Sequence, residues 1–447
     1  MTLRDKILTR LSALGRRLVE SGIYGIVAGL SAVAFEIAVY RFYSATLVRF
    51  AHWSSWHFVV ASFLLMMGTS LVSGTLVAKF APEAAGSGIP QLKLAFWRDF
   101  GFIPWRVVGV KFVAGILAVG GGASLGREGP CIQIAGGVAS NLSGVTGTPA
   151  SGRRRATAAG AAAGLAATFD APLAAIAFVL EKILGGFRSH LLGSVIVAAI
   201  LGALATYLLV DTHPALALPT VAPSTWDGQL LGPFVALVAS LLGIVFQKAS
   251  LGLRKAFQHS HLHHVPPWAR PALGAFFTWT IGLSVFLAYG RLGIFSLGYD
   301  DLASGLMGNV IGILPFILLF GKLAGTIFSF GSGGCGGVFA PSLFFGGMTG
   351  CAVEELSRAL GLPLTDGDRL LLMLIGMSSC FGAVVRAPFT SVFLVLEMTR
   401  DFSLLPALLV PTLLSQGLSR WLLPYGLYEQ VLVDDGQFPY EAKSRLS

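Results

Sequence analysis

Apolar stretches recur along this chain from Ile23 to Leu423, separated by short segments rich in glycine, proline or basic residues. That alternation predicts bilayer-spanning helices rather than one greasy anchor, and 447 residues leave room for roughly ten or more spans. Some apolar runs are too short to cross, since a straight span takes about 20 residues. Residues 131–138 and 338–345 are two such runs, each following a glycine-rich break and each entered near a proline, Pro130 or Pro341. Proline fits the first helical turn because that N–H has no intrahelical partner. The pattern predicts half-helices whose N-termini begin inside the protein. Irregular backbone at that depth is tolerated only where it is buried or lines a polar cavity.

Composition agrees with this pattern. The chain is 54% hydrophobic and 12% charged, with mean hydropathy +0.75. A soluble domain carries about twice that charge fraction. The expected fold class is therefore an all-α polytopic membrane protein. The net charge of +9 raises the question of nucleic acid, but the basic residues fall in short loops: Arg4, Lys6, Arg10, Arg16 and Arg17; the triplet Arg153-Arg154-Arg155; Lys248, Arg254 and Lys255. Positive loops mark the cytosolic side of a membrane protein, and no aromatic-interleaved groove accompanies them, so no nucleic-acid partner is expected. The first twenty residues are basic and amphipathic without a small-residue cleavage site, which predicts an interfacial helix over 1–20. Cys131, Cys335, Cys351 and Cys380 lie in apolar surroundings without CxxC spacing, so packed, reduced thiols are expected and no metal site. After Tyr428 only about twenty residues remain, so a short cytosolic tail over 436–447 and no appended soluble domain are expected.

An internal repeat organises the rest. Shifted by 211 positions, Lys111 falls on Lys322, Gly126 on Gly337, Pro130 on Pro341 and Gly136 on Gly347. Shifted by 216, Gly160 falls on Gly376, Ala171-Pro172 on Ala387-Pro388, and Val179-Leu180-Glu181 on Val395-Leu396-Glu397. Glycine matches are common in a glycine-rich chain, but the lysine, proline and Leu-Glu matches in one order are not. The division expected is one membrane repeat over 21–215 and a second over 216–435. Repeated halves are how many secondary transporters are built, often with opposite topology.

Within this frame Glu128 stands out, set in Gly126-Arg127-Glu128-Gly129-Pro130. A carboxylate at membrane depth is expensive and marks an ion or proton pathway. A helix N-terminus offers unpaired N–H donors and the positive end of a dipole, and glycine admits an ion to that backbone. Residues 86–90, 126–130 and 337–341 have this character, and only Arg127 adds a fixed cation. Such ends hold a small anion with partial charges, so that it can also leave. Rival motifs are weaker. Gly331-Ser332-Gly333-Gly334-Cys335-Gly336 satisfies GxGxxG but lacks the soluble strand and the later acidic residue of a dinucleotide site. Gly122-Ala123-Ser124-Leu125-Gly126 satisfies GxSxG, which makes an intramembrane hydrolase using Ser124 the alternative from another class; it needs a histidine at membrane depth. Four of the eight histidines sit together at 259–264, read as a solvated loop, and the others flank apolar runs.

The segments GSGIP at 86–90, GREGP at 126–130 and GxFxP at 337–341 resemble, in order, the signatures of the CLC chloride channels and chloride/proton exchangers. Tyr428 in Tyr425-Gly426-Leu427-Tyr428-Glu429 matches the family's central tyrosine, and the similarity runs from about residue 20 to 435. The resemblance implies a CLC-type fold of two inverted-topology repeats with broken, tilted helices, in a homodimer with one pathway per subunit. It implies a central chloride held by the hydroxyls of Ser87 and Tyr428 and the N–H groups of Val338 and Phe339, with Ser87 favouring chloride over nitrate. Glu128 is implied as gate and proton acceptor, and backbone at Arg127 and Gly129 as lining of an outer anion site. Both chloride and a carboxylate carry one negative charge, so each can take the other's place, and protonation links the two ions by competition.

The match departs at Lys182, where exchangers of this kind commonly carry an internal proton glutamate. Lysine is protonated near neutral pH unless strongly desolvated. Either protons reach Glu128 through water without that residue, or the pathway is uncoupled and channel-like. A third reading makes Lys182 a snorkelling interfacial lysine in a basic loop with Arg188. Asp170 stands where Asn or Gly is usual, and Cys335 replaces a common proline. The expectation is a transporter rather than an enzyme, exchanging chloride for protons, without cofactors, in a lipid bilayer, of prokaryotic type and at the inner membrane.

Overall fold

Proline and left-handed residues set the helix boundaries of the computed structural model, which describes residues 13–186, 190–209, 216, 218–219, 224–259 and 262–437. The principal helices are α1 (Ala13–Tyr43), α2 (Ser55–Phe80), α3 (Ile89–Arg98), α4 (Trp105–Gly115), α5 (Glu128–Val145), α6 (Ala150–Phe169), α7 (Pro172–Phe178) and α8 (Leu192–Leu209). After these come α9 (Trp226–His259), α10 (Arg270–Tyr289), α11 (Tyr299–Leu306), α12 (Leu314–Gly331), α13 (Phe339–Ala359), α14 (Asp366–Val385), α15 (Pro388–Thr399), α16 (Leu405–Leu422) and α17 (Leu427–Asp434). Proline occupies the first or second position of α3, α7, α10, α12, α15 and α16, where its missing N–H does no harm. Residues 1–12 of the expected interfacial helix, 438–447 of the expected tail, and Arg188 lie outside the described residues; from Ala13 the chain is already within α1.

Eight helices among the described residues are long and apolar enough to cross a membrane, fewer than the chain length allows. The remainder of the chain is spent on short or polar helices inside the protein. The apolar runs 131–138 and 338–345 mark only the openings of α5 and α13, which extend to 18 and 21 residues, so the half-helix expectation is corrected in length. These helices continue through Ser140, Asn141 and Ser143, and through Glu354 and Ser357, all buried against protein rather than lipid. There the polar groups find partners: Asn141 Nδ2 donates to Ile103 O at 2.7 Å, and Arg369 Nε donates to Glu354 at 2.9 Å. The four cysteines are buried free thiols.

The two halves use the same packing scheme. α5 packs on α6 as α13 packs on α14; α8 covers α1 and α6 as α16 covers α9 and α14. α6 and α14 end at equivalent residues in left-handed backbone, Asp170 (φ 51) and Arg386 (φ 59), before an Ala-Pro that starts α7 or α15. Asp tolerates that region because its short polar side chain bonds locally. Asp170 accepts from Arg400 at 2.9 Å, and Arg386 donates to the carbonyls of Ser419, Leu423 and Pro424.

Two pairs of equivalent residues tie the halves internally and to each other. Lys111 Nζ, fully buried, donates to Ala84 O at 3.0 Å and Gly86 O at 2.6 Å; Lys322 Nζ, fully buried, donates to Ile294 O at 3.4 Å and Ser296 O at 2.6 Å. Each lysine fixes the loop that enters a short helix, α3 or α11, and both helices follow a left-handed glycine, Gly88 (φ 86) and Gly298 (φ 81). Glu181 and Glu397 exchange caps across the molecule. Glu397 accepts from Leu173 N and Ala174 N at 2.9 and 2.8 Å, and Glu181 accepts from Phe389 N and Thr390 N at 3.2 and 3.0 Å. Each carboxylate thus satisfies the orphan donors of the other half's helix start.

Candidate functional site

Three glycine-rich breaks meet at one point. Gly126 and Gly337, equivalent positions of the repeat, form an antiparallel bridge: Gly126 N donates to Gly337 O at 2.7 Å and Gly337 N to Gly126 O at 2.6 Å. Gly336 N donates to Gly86 O at 3.1 Å, drawing in the segment that carries Ser87. At Gly129 an added Cβ would collide with the Ser87 carbonyl at 2.5 Å and its hydroxyl, so glycine is demanded by close approach. The structure therefore brings together residues 86–90, 126–130 and 337–341, with the N-terminal ends of α3, α5 and α13 converging. Aligned peptide dipoles make such ends electropositive without a full charge.

Glu128 is fully buried at the first position of α5. Its Oε1 accepts from the Tyr299 hydroxyl at 3.0 Å. Its Oε2 turns toward the N–H groups of Glu128 itself and Ala340, close to both but without a well-formed hydrogen bond. A Cβ at Gly126 would strike this oxygen, so the glycine leaves room for it. The carboxylate thus sits between the first turns of two helices from different halves. Arg127, the preceding residue, directs its guanidinium away to Glu36 at 2.6 Å, so its charge is matched by a carboxylate and its backbone is what faces the glycines.

Ser87 Oγ and Tyr428 Oη lie within reach of each other, are both buried, and form no hydrogen bond of good geometry with protein. Buried hydroxyls normally have partners, so two orphaned donors aimed at one place fit an anion there. Phe339 opens α13 after Val338, and its ring lies 6.4 Å from that of Tyr428 and 5.4 Å from Phe178. The first N–H groups of α13 have no intrahelical acceptor and are available at this same place. Hydroxyl donors, helix-end amides and apolar rings suit a weakly hydrated monovalent anion.

Lys182 corrects the snorkelling expectation. It lies in a π-helical segment, Val179–Leu184, that prolongs α7, and its Nζ contacts Glu429 Oε1 at 2.8 Å. Lys93 Nζ contacts the same oxygen at 2.9 Å. The desolvation that would drive a lone lysine outward is offset by the shared carboxylate. Cys335, where proline was the usual residue, donates through Sγ to Ala84 O at 3.3 Å, the carbonyl that Lys111 also holds. Ser124 gives the hydrolase reading no support: its hydroxyl pairs with Thr326 Oγ1 at 3.0 Å and its N–H with Ser329 Oγ, neither of them a base.

Sequence reasoning did not find Glu36, Lys93, Tyr299 or Glu429. Glu36 and Glu429 each stood in an apolar stretch, a signal of the kind that singled out Glu128. Tyr299 carried none, because its partner lies in the other half.

The family described as voltage gated chloride channel matches residues 69–420. The H(+)/Cl(-) exchange transporter ClcA of Vibrio vulnificus is 32% identical over 406 residues, 89% of this chain and 85% of that protein. The fold is similar to that of a slow cyanobacterial Cl-/H+ antiporter, with TM-score 0.82 and 24% identity, over 95% of this chain and 99% of that one. A CLC-type fluoride/proton antiporter is also similar, with TM-score 0.76 and 22% identity, over 94% of this chain and 98% of that one.

Proposed function

This chain belongs to the voltage-gated chloride channel family, and from that membership we propose that it exchanges chloride for protons across a membrane, with Glu128 as gate and proton acceptor. The observation that carries the reading is the seat of the Glu128 carboxylate, buried between the first turns of α5 and α13. A monovalent anion and an ionised carboxylate compete for such a seat on equal charge.

Chloride is proposed to bind centrally between Ser87 Oγ–H, Tyr428 Oη–H and the N–H groups of Val338 and Phe339. An ionised Glu128 excludes it from the next position, lined by backbone at Arg127 and Gly129. A proton on Glu128 removes its charge and with it the attraction to the helix ends. The neutral side chain leaves, chloride takes its place, and deprotonation brings the carboxylate back to displace the anion. One titratable group in one seat therefore links proton and anion movement.

An uncoupled pathway is not favoured, because the relative and the structural neighbour are named as exchanger and antiporter. Chloride is chosen over fluoride because the relative of higher identity is a chloride exchanger and the donors here are ordinary hydroxyls and amides. A homodimer in a bacterial inner membrane completes the proposal. The apolar groove between α9 and α16, lined by Leu237, Val410, Leu413, Leu414 and Trp421, supplies a surface for the second copy. Purified protein in chloride-loaded liposomes, followed with a chloride electrode and a pH electrode together, tests the function. Proton uptake in fixed ratio to chloride release is expected; chloride release without proton movement overturns exchange. Cross-linking in the same liposomes is expected to give a dimer.

A further inference from the structure

Glu36 on α1 and Arg127, the residue that precedes α5, form an ion pair beside the seat of the Glu128 carboxylate. Arg127 Nη2 meets Glu36 Oε1 at 2.6 Å, and both side chains are 14% exposed. We propose that Glu36 sets the positive potential of that seat: by balancing Arg127 it fixes how tightly the seat holds an anion, whether chloride or ionised Glu128. The proposal rests on the reading of Glu128 as the gate, and Glu36 acts through Arg127 rather than on the anion itself.

As a structural tie the pair is poorly made. Arginine and carboxylate often meet through two parallel hydrogen bonds. Here one contact forms, and Arg127 Nε and Glu36 Oε2 stay buried without hydrogen-bond partners. A buried ion pair adds little stability in any case, since desolvation offsets the attraction between its charges. As a balance of charge, the same pair needs only proximity. Glu36 stands between Phe35 and Ile37 in α1, and a carboxylate in such a stretch marks a function.

Glu36 and Arg127 both lie within electrostatic reach of the Glu128 carboxylate, whose side-chain hydrogen bond comes from Tyr299 instead. The other groups facing that carboxylate do not replace them. Tyr299 on α11 and Tyr428 on α17 present hydroxyls, and Cys131 on α5 is a buried free thiol. Lys322 on α12 donates to the carbonyls of Ile294 and Ser296, and Asp301 lies within its electrostatic reach as a counterweight. This leaves Arg127, the chain neighbour of Glu128, as the cation whose charge the seat feels, and Glu36 as the group that reduces it. The first-turn amides attract an anion with partial charges, which also permit release. An unmatched full charge beside them would hold the anion longer.

The test is chloride efflux from liposomes over a pH series, equal inside and out, for wild type, Glu36→Gln, Glu36→Ala, and Glu36→Gln combined with Arg127→Gln. Without the Glu36 charge the ionised gate is held more firmly and takes up its proton only at lower pH. Half-maximal efflux is expected to move down by about one pH unit in both single variants. The combined variant carries neither charge, and its midpoint is expected to return toward wild type. Calorimetric titration of chloride in a Glu128→Gln background, with and without Glu36→Gln, is expected to show binding roughly tenfold tighter when Glu36 is replaced. Wild-type midpoints in both single variants overturn the proposal, and so does an upward shift. A downward shift that the combined variant keeps also overturns it, because lost packing rather than charge is then the cause. If efflux by wild type does not vary with pH, or Glu128→Gln keeps the variation, the gate reading fails and takes this proposal with it. Gel filtration reports the folding of each variant, and the Gln and Ala variants report independently should one not fold.

Discussion

The Tyr299 hydroxyl donates to Glu128 Oε1 at 3.0 Å, joining the start of α11 in one half to the start of α5 in the other. A hydrogen bond to a charged group is worth about 1.5–3 kcal/mol. Tyr299→Phe removes the donor and keeps the ring, so the ionised carboxylate holds its seat less firmly. Chloride efflux is expected to rise several-fold and the proton-to-chloride ratio to fall. An unchanged rate and ratio would show that this bond does not restrain the gate.

Glu128→Gln keeps shape and polarity but cannot ionise. Proton movement is expected to vanish while chloride still passes. Efflux by wild type is expected to decline as pH rises, because only the protonated gate vacates its seat, and the variant is expected to lose that slope. The measurement is initial efflux rate across a pH series; a variant as pH-sensitive as wild type places the titrating gate elsewhere.

Ser87→Ala combined with Tyr428→Phe removes both hydroxyl donors from the proposed central site and adds no bulk. Each lost donor to a charged ion is expected to cost about 1.5–3 kcal/mol, so chloride affinity should weaken roughly a hundredfold or more for the pair. Calorimetric titration of chloride into detergent-solubilised protein reads this directly. Unchanged affinity would move the anion site away from Tyr428.

These residues also show what the sequence carried. The helix breaks at 86–90, 126–130 and 337–341 were legible because glycine and proline act locally: they end or begin helices wherever the chain runs. The repeat then indicated which breaks belong together. The Lys182–Glu429 contact left no such mark, because its partners are far apart in the chain and match no spacing rule. The Val-Leu-Glu match identified Glu181 and Glu397 as equivalent but not as partners of opposite halves. Helix length was misjudged at α5 and α13 because hydropathy reports lipid exposure, and these helices are enclosed by protein.

Lys111 and Lys322 perform equivalent tasks, but their carbonyls are not equally protected. Lys322→Met strands the carbonyls of Ile294 and Ser296, at about 1–3 kcal/mol per unsatisfied group, whereas after Lys111→Met the carbonyls of Ala84 and Gly86 keep the Cys335 thiol and the Gly336 N–H. Both variants are expected to melt below wild type in detergent, Lys322→Met by the larger amount. Equal losses would mean that the second donors do not hold the loop that Lys111 anchors.

The exchanged caps of Glu181 and Glu397 bear on how this protein can move. If one half swung as a rigid body against the other, both carboxylates would leave the helix ends they satisfy, stranding four backbone donors and two half-buried carboxylates at once. The Gly126–Gly337 bridge would part in the same stroke. The frame is laced shut at its middle, so the transport cycle is confined to what can shift within it: a single carboxylate, the few side chains around it, and the ions that trade places there.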